Sequence, residues 1–168
     1  MSPSVPEWMR HPVRKIADVI SGTPPRSQEP IALPEPQVIV RARVLCVDDN
    51  PQVLRLLKRQ LEEKYDVSIA QTAQDALALL AEGNPFDVII SDLRMPDVHG
   101  LTFLKMARDL YPTTERIILT GLPDPATMSG AGTASAAEQL ILKPWTRSDL
   151  ALAVESAVLR RREFLGGA

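Results

Sequence analysis

From residue 44 onward the apolar residues fall into two alternating patterns. Short unbroken runs occur at Val44-Leu45-Cys46-Val47, Asp87-Val88-Ile89-Ile90, Arg116-Ile117-Ile118-Leu119 and Leu140-Ile141-Leu142. Such runs mark strands buried on both faces of a parallel sheet. A further strand is predicted at Val67-Ser68-Ile69-Ala70. Between the runs the spacing becomes helical. Asn50-Pro51 opens a helix with Val53, Leu54, Leu57 and Leu61 as its buried stripe, Pro51 suiting the first helical position. Thr72 caps a second helix carrying Ala76, Leu77 and Leu80, which stops at Gly83. A third, after Gly100, carries Leu101, Leu104, Met106 and Leu110 and ends before Pro112. The last begins after Trp145 with Thr146 as its cap. Five strands alternating with helices predict an α/β fold with right-handed crossovers and a parallel sheet.

The pattern changes near residue 40. Eight of the chain's 15 prolines precede it: Pro3, Pro6, Pro12, Pro24, Pro25, Pro30, Pro34 and Pro36. A stretch so rich in proline favours extended chain, so residues 1–40 read as an N-terminal tail and 41–168 as the domain. Within the tail, Pro12 opens a possible short helix over 12–20, with Gly22 just beyond it. Val13, Ile16 and Ile20 share one face of it. That face could serve a partner, a second copy in a homodimer, or the chain's own domain; as an isolated helix it is marginal.

Composition narrows the function classes. The 168 residues are 45% hydrophobic and carry a formal charge of -2. That balance gives no electrostatic footprint for nucleic acid. The one basic cluster, Arg160-Arg161-Arg162, is assigned to the last helical turns, where cations suit the helix dipole. No apolar stretch approaches the ~18 residues of a membrane span, and the N-terminus lacks a signal-peptide hydrophobic region. The single Cys46 lies inside an apolar run and reads as a small core residue. Together these features predict a cytoplasmic protein. His11 and His99 have no second His or Cys beside them and are read as solvated rather than ligating.

Candidate chemistry lies where the strands end. Asp48 and Asp49 follow the first strand, Asp92 the third, Thr120 the fourth, and Lys143-Pro144 the fifth. In open α/β sheets, sites form outside the carboxyl ends of the strands. Three carboxylates at one pole call for a hard divalent cation, and Mg²⁺ takes one or two carboxylates together with water and phosphate oxygens. A carboxylate can also accept a phosphoryl group, and a hydroxyl and an ammonium suit its oxygens. Gly121 leaves space beside Thr120 for an incoming group.

These segments resemble a known family. VLCVDDNP at 44–51, DVIISDLRMPDVHG at 87–100, ILTG at 118–121 and LILKPW at 140–145 are similar to the landmarks of the receiver domain of two-component response regulators. The resemblance covers residues 41–165. It implies a flavodoxin-like five-stranded parallel sheet of order 2-1-3-4-5 with helices on both faces. It implies Asp92 as phosphoacceptor, taking its phosphoryl group from a histidine kinase or a histidine phosphotransfer protein. Asp48, Asp49, Asp92 and the backbone carbonyl of Arg94 would hold Mg²⁺, and Thr120 and Lys143 would bind the phosphoryl oxygens. The Lys143–Pro144 bond would be cis, and phosphorylation would draw Thr120 inward and switch the binding of a downstream protein. No enzyme activity is implied beyond self-phosphorylation from a phosphodonor and autodephosphorylation.

The sequence departs from the family pattern in three places. Leu140 stands where a switch aromatic is common. Residues 126–137 contain Gly130 and Gly132, each costing about 1 kcal/mol in a helix relative to Ala, which predicts a short or frayed helix there. Arg94 and Leu122 occupy positions that tune autodephosphorylation, and neither orients a water readily, which predicts a slowly decaying phosphoaspartate. The few residues after the last helix suggest a stand-alone receiver. Two other readings compete: a receiver-fold interaction module without phosphotransfer, and a phosphatase with an aspartyl-phosphate intermediate, like the haloacid dehalogenase class. The latter wants Asp-x-Asp after its first strand, where this chain has Asp48-Asp49-Asn50.

Overall fold

The architecture comes from a computed structural model of the chain, in which residues 40–121 and 136–167 are described. The strands are β1 Arg43–Val47, β2 Asp66–Ala70, β3 Val88–Asp92, β4 Glu115–Thr120 and β5 Gln139–Leu142. The helices among the described residues are α1 Pro51–Leu61, α2 Ala73–Ala81, α3 Gly100–Leu110 and α4 Arg147–Gly166. The five strands form one sheet of order β2-β1-β3-β4-β5, and every neighbouring pair is parallel. The sheet has the flavodoxin-like order that the resemblance implied.

Side chains alternate across the pleat, so each central strand feeds two cores. Leu45, Val47, Ile89 and Ile118 face α2 and α3, meeting Leu80, Phe103 and Leu104. Val44, Cys46, Val88, Ile90, Ile117 and Leu119 face α1 and α4, meeting Leu54, Leu57, Leu150 and Val154. Each fully buried Leu, Ile or Val contributes ~1.5–3 kcal/mol by leaving water, which is why these strands read as unbroken apolar runs. The edges differ: Ile69 on β2 and Leu142 on β5 are exposed. The helix starts follow their caps. The Asn50 side chain accepts from Gln52 N, and Thr72 accepts from Asp75 N. Thr146 and Asp149 form a reciprocal capping box.

One expectation needs correction. The buried side of α3 is Phe103, Leu104 and Ala107, whereas Met106 and Leu110 are exposed. Phe103, the largest apolar side chain of that helix, sets which face turns inward. The arginine run lies in the closing turns of α4, as expected, since the helix continues to Gly166. Arg161 is buried. Its guanidinium pairs with Asp87, just before β3, and donates from Nε to the Thr113 carbonyl at 3.1 Å. Asp87 also accepts from Arg43 N at 2.7 Å. Beside them Arg160 pairs with Glu115 at 2.8 Å, and buried Arg116 with Glu138. This ionic belt closes the pole of the sheet opposite the strand ends.

The tail with the helix expected over 12–20, and Leu122, lie outside the described residues, as does nearly all of the expected helix over 126–137. Among the described residues no helix is long and apolar enough to cross a membrane.

Arg161→Ala would leave the Asp87 carboxylate without its cation. We expect it to lower the unfolding free energy by about 3 kcal/mol, read as a lower urea midpoint. An unchanged midpoint would mean the belt does not hold α4 to the sheet.

Candidate functional site

Four of the strand-end residues come from non-adjacent parts of the sequence and meet above β1, β3, β4 and β5. Asp48 directly follows β1, Asp92 ends β3, Thr120 ends β4 and Lys143 directly follows β5. Lys143 Nζ donates to Asp48 Oδ2 and to Asp92 Oδ1, both at 2.7 Å. The other oxygen of each carboxylate accepts from a backbone N–H two residues on: Asn50 N to Asp48 Oδ1 and Arg94 N to Asp92 Oδ2, both at 2.8 Å. Each Asp thus folds over its own following turn and turns one oxygen to the lysine. Asp48 is 1% exposed and Asp92 7%, so both carboxylates are shielded from water, while Lys143 is half-buried.

Burial works against the charge of Lys143. Its hydrogen bonds to Asp48 and Asp92, and their negative charge, outweigh that penalty and hold its pKa above the usual lysine range. Burial also pushes the Asp48 carboxyl up, and the bonds from Lys143 and Asn50 N offset only part of the rise. Cys46, one strand residue away from this pole, is wholly buried, and burial pushes its thiol up to about 12. It is therefore a core residue and not a nucleophile.

Thr120 is buried beside this pair, and its neighbour Gly121 is exposed. A Cβ at Gly121 would lie 3.8 Å from Lys143 Cβ, an ordinary contact, so crowding there does not demand a glycine. Lys143 N donates to the Thr120 carbonyl at 2.7 Å, which ties the lysine's backbone to the end of β4. The Lys143–Pro144 bond is cis. Past it, the Trp145 indole donates to the Gln60 side chain of α1 at 3.0 Å.

Asp49 stands apart. It is exposed beside Asp48 and outside the lysine bridge. Among the described residues no three His, Cys, Asp or Glu side chains are gathered to hold a metal. What the structure assembles is a pair of carboxylates, Asp48 and Asp92. Hard oxygen donors in that number fit Mg²⁺, which keeps several waters and needs only one or two carboxylates from the protein.

Residues 44–155 match the family model described as the response regulator receiver domain. The chain belongs to that family. Among curated relatives, the receiver is 36% identical over 118 residues to the hydrogenase transcriptional regulatory protein HoxA of Cupriavidus necator, covering 70% of this chain and 24% of that one. It is 34% identical over 124 residues to the transcriptional regulatory protein TrcR of Mycobacterium tuberculosis, covering 73% and 47%. The chain thus spans about a quarter to a half of these relatives. Among solved structures it is similar to the signal receiver domain of an HD domain-containing protein from Pseudomonas fluorescens, with TM-score 0.71 and 31% identity, covering 80% of this chain and 98% of that one. A CheY-like receiver domain protein from Methanospirillum hungatei gives TM-score 0.67 and 30% identity, covering 73% and 98%.

One residue whose sequence pattern does not single it out shapes this receiver's site. Gly100 starts α3 directly against Asp92, and its N–H donates to the Leu93 carbonyl at 2.9 Å. A Cβ at Gly100 would fall inside the contact radius of the Asp92 carbonyl oxygen. Its sequence signal was a glycine immediately before a helical pattern, with no polar cap residue ahead of it.

Two outcomes follow from this geometry. Gly100→Ala should push the start of α3 off the Asp92 backbone and destabilise the fold by about 2 kcal/mol; an unchanged melting temperature would contradict the close approach. For Lys143→Met the size of the cost depends on pH. A group whose pKa is raised on folding contributes stability that is full below its unfolded value and is lost as pH rises through the folded one. Without the ammonium, Asp48 shifts further up. The substitution should then cost about 2 kcal/mol at neutral pH, measured in chelator, and less as pH falls through the Asp48 range. A cost independent of pH would refute the bridge.

Proposed function

We propose that this receiver accepts a phosphoryl group on Asp92 from a histidine kinase or a histidine phosphotransfer protein. The observation that carries this reading is the state of Asp92: a nearly buried carboxylate at a strand end, held by Lys143 Nζ and Arg94 N. In the transfer a carboxylate oxygen of Asp92 forms the new O–P bond as the N–P bond of the donor phosphohistidine breaks, and the electron pair leaves with the imidazole. Bound Mg²⁺ would be held by Asp48, Asp92 and the Arg94 carbonyl, with Asp49 turned in from its exposed position beside Asp48, and would supply charge neutralisation for the phosphoryl oxygens. Lys143 keeps its ammonium at the pole and pairs with a phosphoryl oxygen once Asp92 is esterified. The Thr120 hydroxyl donates to another.

The product changes the balance at the pole. The lysine's partner at Asp92 is replaced by a larger, more highly charged group, which biases the domain between two conformations. Thr120 moves toward the phosphoryl group. Leu140, packed against the core on the α2 and α3 side, follows as an aliphatic side chain where an aromatic would swing. The readout is the binding of a downstream protein. On this reading the receiver works in the cytoplasm, where kinases have access to ATP.

Full-length protein incubated with Mg²⁺ and a small phosphodonor such as acetyl phosphate should gain one phosphoryl group by intact mass, and Asp92→Asn none. Equal gain by both would move the acceptor elsewhere. No gain by either, with a kinase-derived phosphohistidine donor also tried, would favour an interaction module without phosphotransfer. Arg94 is exposed and carries neither an acid nor an amide to orient water. The phosphoprotein should therefore persist for far longer than seconds after the donor is removed, and decay within seconds would contradict that assignment.

A further inference from the structure

The loop between Asp92 and α3 is tied to a helix that belongs to neither. Asp97, near its middle, accepts from Ala73 N at 2.9 Å through Oδ2. Ala73 is the first residue of α2, 24 positions earlier in the chain. The first N–H groups of a helix have no partner within the helix, and a carboxylate there is favoured by the helix dipole. Yet α2 already has its own cap in Thr72, whose hydroxyl accepts from Asp75 N at 3.0 Å. The two residues divide the helix end between them, so Asp97 is not needed merely to start the helix.

What the bond does need to hold is the loop. Leu93 and Met95 anchor its beginning in the core, and Gly100 N closes its end on the Leu93 carbonyl. Between these anchors lie Pro96, Asp97, Val98 and His99, of which Val98 is half-buried against the same core and Asp97 is exposed. His99 stands at the N-cap of α3 but makes no side-chain cap bond. The contact of Asp97 with α2 fixes this middle part laterally. At the start of the same loop, Arg94 N donates to Asp92 Oδ2. Burial works slightly against the Asp97 charge, and the backbone N–H groups near it, from Val98, Ala73, Asp97 itself and Gln74, hold the carboxyl below its usual range. The tie is therefore ionised at neutral pH.

We infer that Asp97 is a positioning residue for Asp92: by fastening the loop to the N-terminus of α2 it fixes Arg94, whose N–H orients the Asp92 carboxylate and whose carbonyl is the expected backbone ligand for Mg²⁺. The part concerning Mg²⁺ and phosphorylation rests on the function proposed above. The part concerning Arg94 does not.

The test compares Asp97→Ala, Asp97→Asn and Thr72→Ala in the full chain. The direct readout is amide hydrogen exchange at Arg94, measured without Mg²⁺ or phosphodonor and referred to the exchange of the β3 core. Asp97→Ala should speed Arg94 exchange about tenfold, and Asp97→Asn, which keeps one acceptor oxygen, should restore most of the protection. Thr72→Ala removes a cap from the same helix end without touching the loop. It should lower stability comparably and leave Arg94 exchange as in the wild type. In the phosphorylation assay, Asp97→Ala should raise the Mg²⁺ concentration for half-maximal rate about tenfold, with Thr72→Ala unchanged. Unchanged Arg94 exchange in Asp97→Ala would overturn the inference, as would an equal effect of Thr72→Ala. A wild type that takes no phosphoryl group would defeat the proposed function, and Arg94 exchange would still decide the role of Asp97.

Discussion

One ammonium group lies between two buried carboxylates, and the functional pole of this protein is arranged around it. Lys143 Nζ sits 2.7 Å from both Asp48 and Asp92. Two shielded carboxylates at one point would repel each other and lose their charge to protons; the lysine keeps them together. The sheet order makes this a long-range contact. Lys143 follows β5, whereas its partners belong to β3 and β1, with β4 between. The lysine must lean across the end of β4, and its own N–H is fastened there, to the Thr120 carbonyl. Thr120 thus lies along the line on which the lysine reaches its acids.

The opposite pole is built from the same kinds of group, put to a different use. Arg161 on Asp87 and Arg116 on Glu138 close the other end of the sheet, and their charges are engaged by fixed partners. Strand β3 joins the two poles, with Asp87 just before it and Asp92 at its end, and its apolar residues between them are fully buried. A strand pinned at its start by ions and along its length by packing offers a rigid base for the acid at its tip. In the proposed function, motion at this pole would fall to the loops and to Thr120 and Leu140, and not to β3 itself.

Much of this was readable in the chain because the relevant signals are local. The runs at 44–47, 87–90 and 116–119 announced central strands, since a strand buried on both faces has no polar alternation to obscure it. Thr72, Asn50 and Thr146 marked helix starts because a cap acts within three residues. The acids, Thr120 and Lys143 stood out because each follows such a run. What escaped notice depends on contacts between distant residues. Arg161 is one of three consecutive arginines, and nothing local distinguishes the buried one from its neighbours. On α3, Met106 and Leu110 fit an apolar pattern as well as Phe103 and Ala107 do, and only packing against the sheet chose between them. Asp97 and Gly100 looked like ordinary loop residues until the backbone of α2 and of Asp92 came up against them. The three acids were expected to act as one group, but the fold draws Asp48 and Asp92 together through the lysine and leaves Asp49 exposed beside them.

In the proposed function Asp92 is the reactive member of this pair and Lys143 serves whatever binds there. Fluorine NMR of the full-length protein with beryllofluoride, a tetrahedral stand-in for the phosphoryl group, tests it without a kinase. Bound fluoride resonances should appear that require Mg²⁺, vanish in Asp92→Asn and weaken strongly in Lys143→Met. Bound resonances that persist in Asp92→Asn, or none in a folded wild type with Mg²⁺ present, would contradict it.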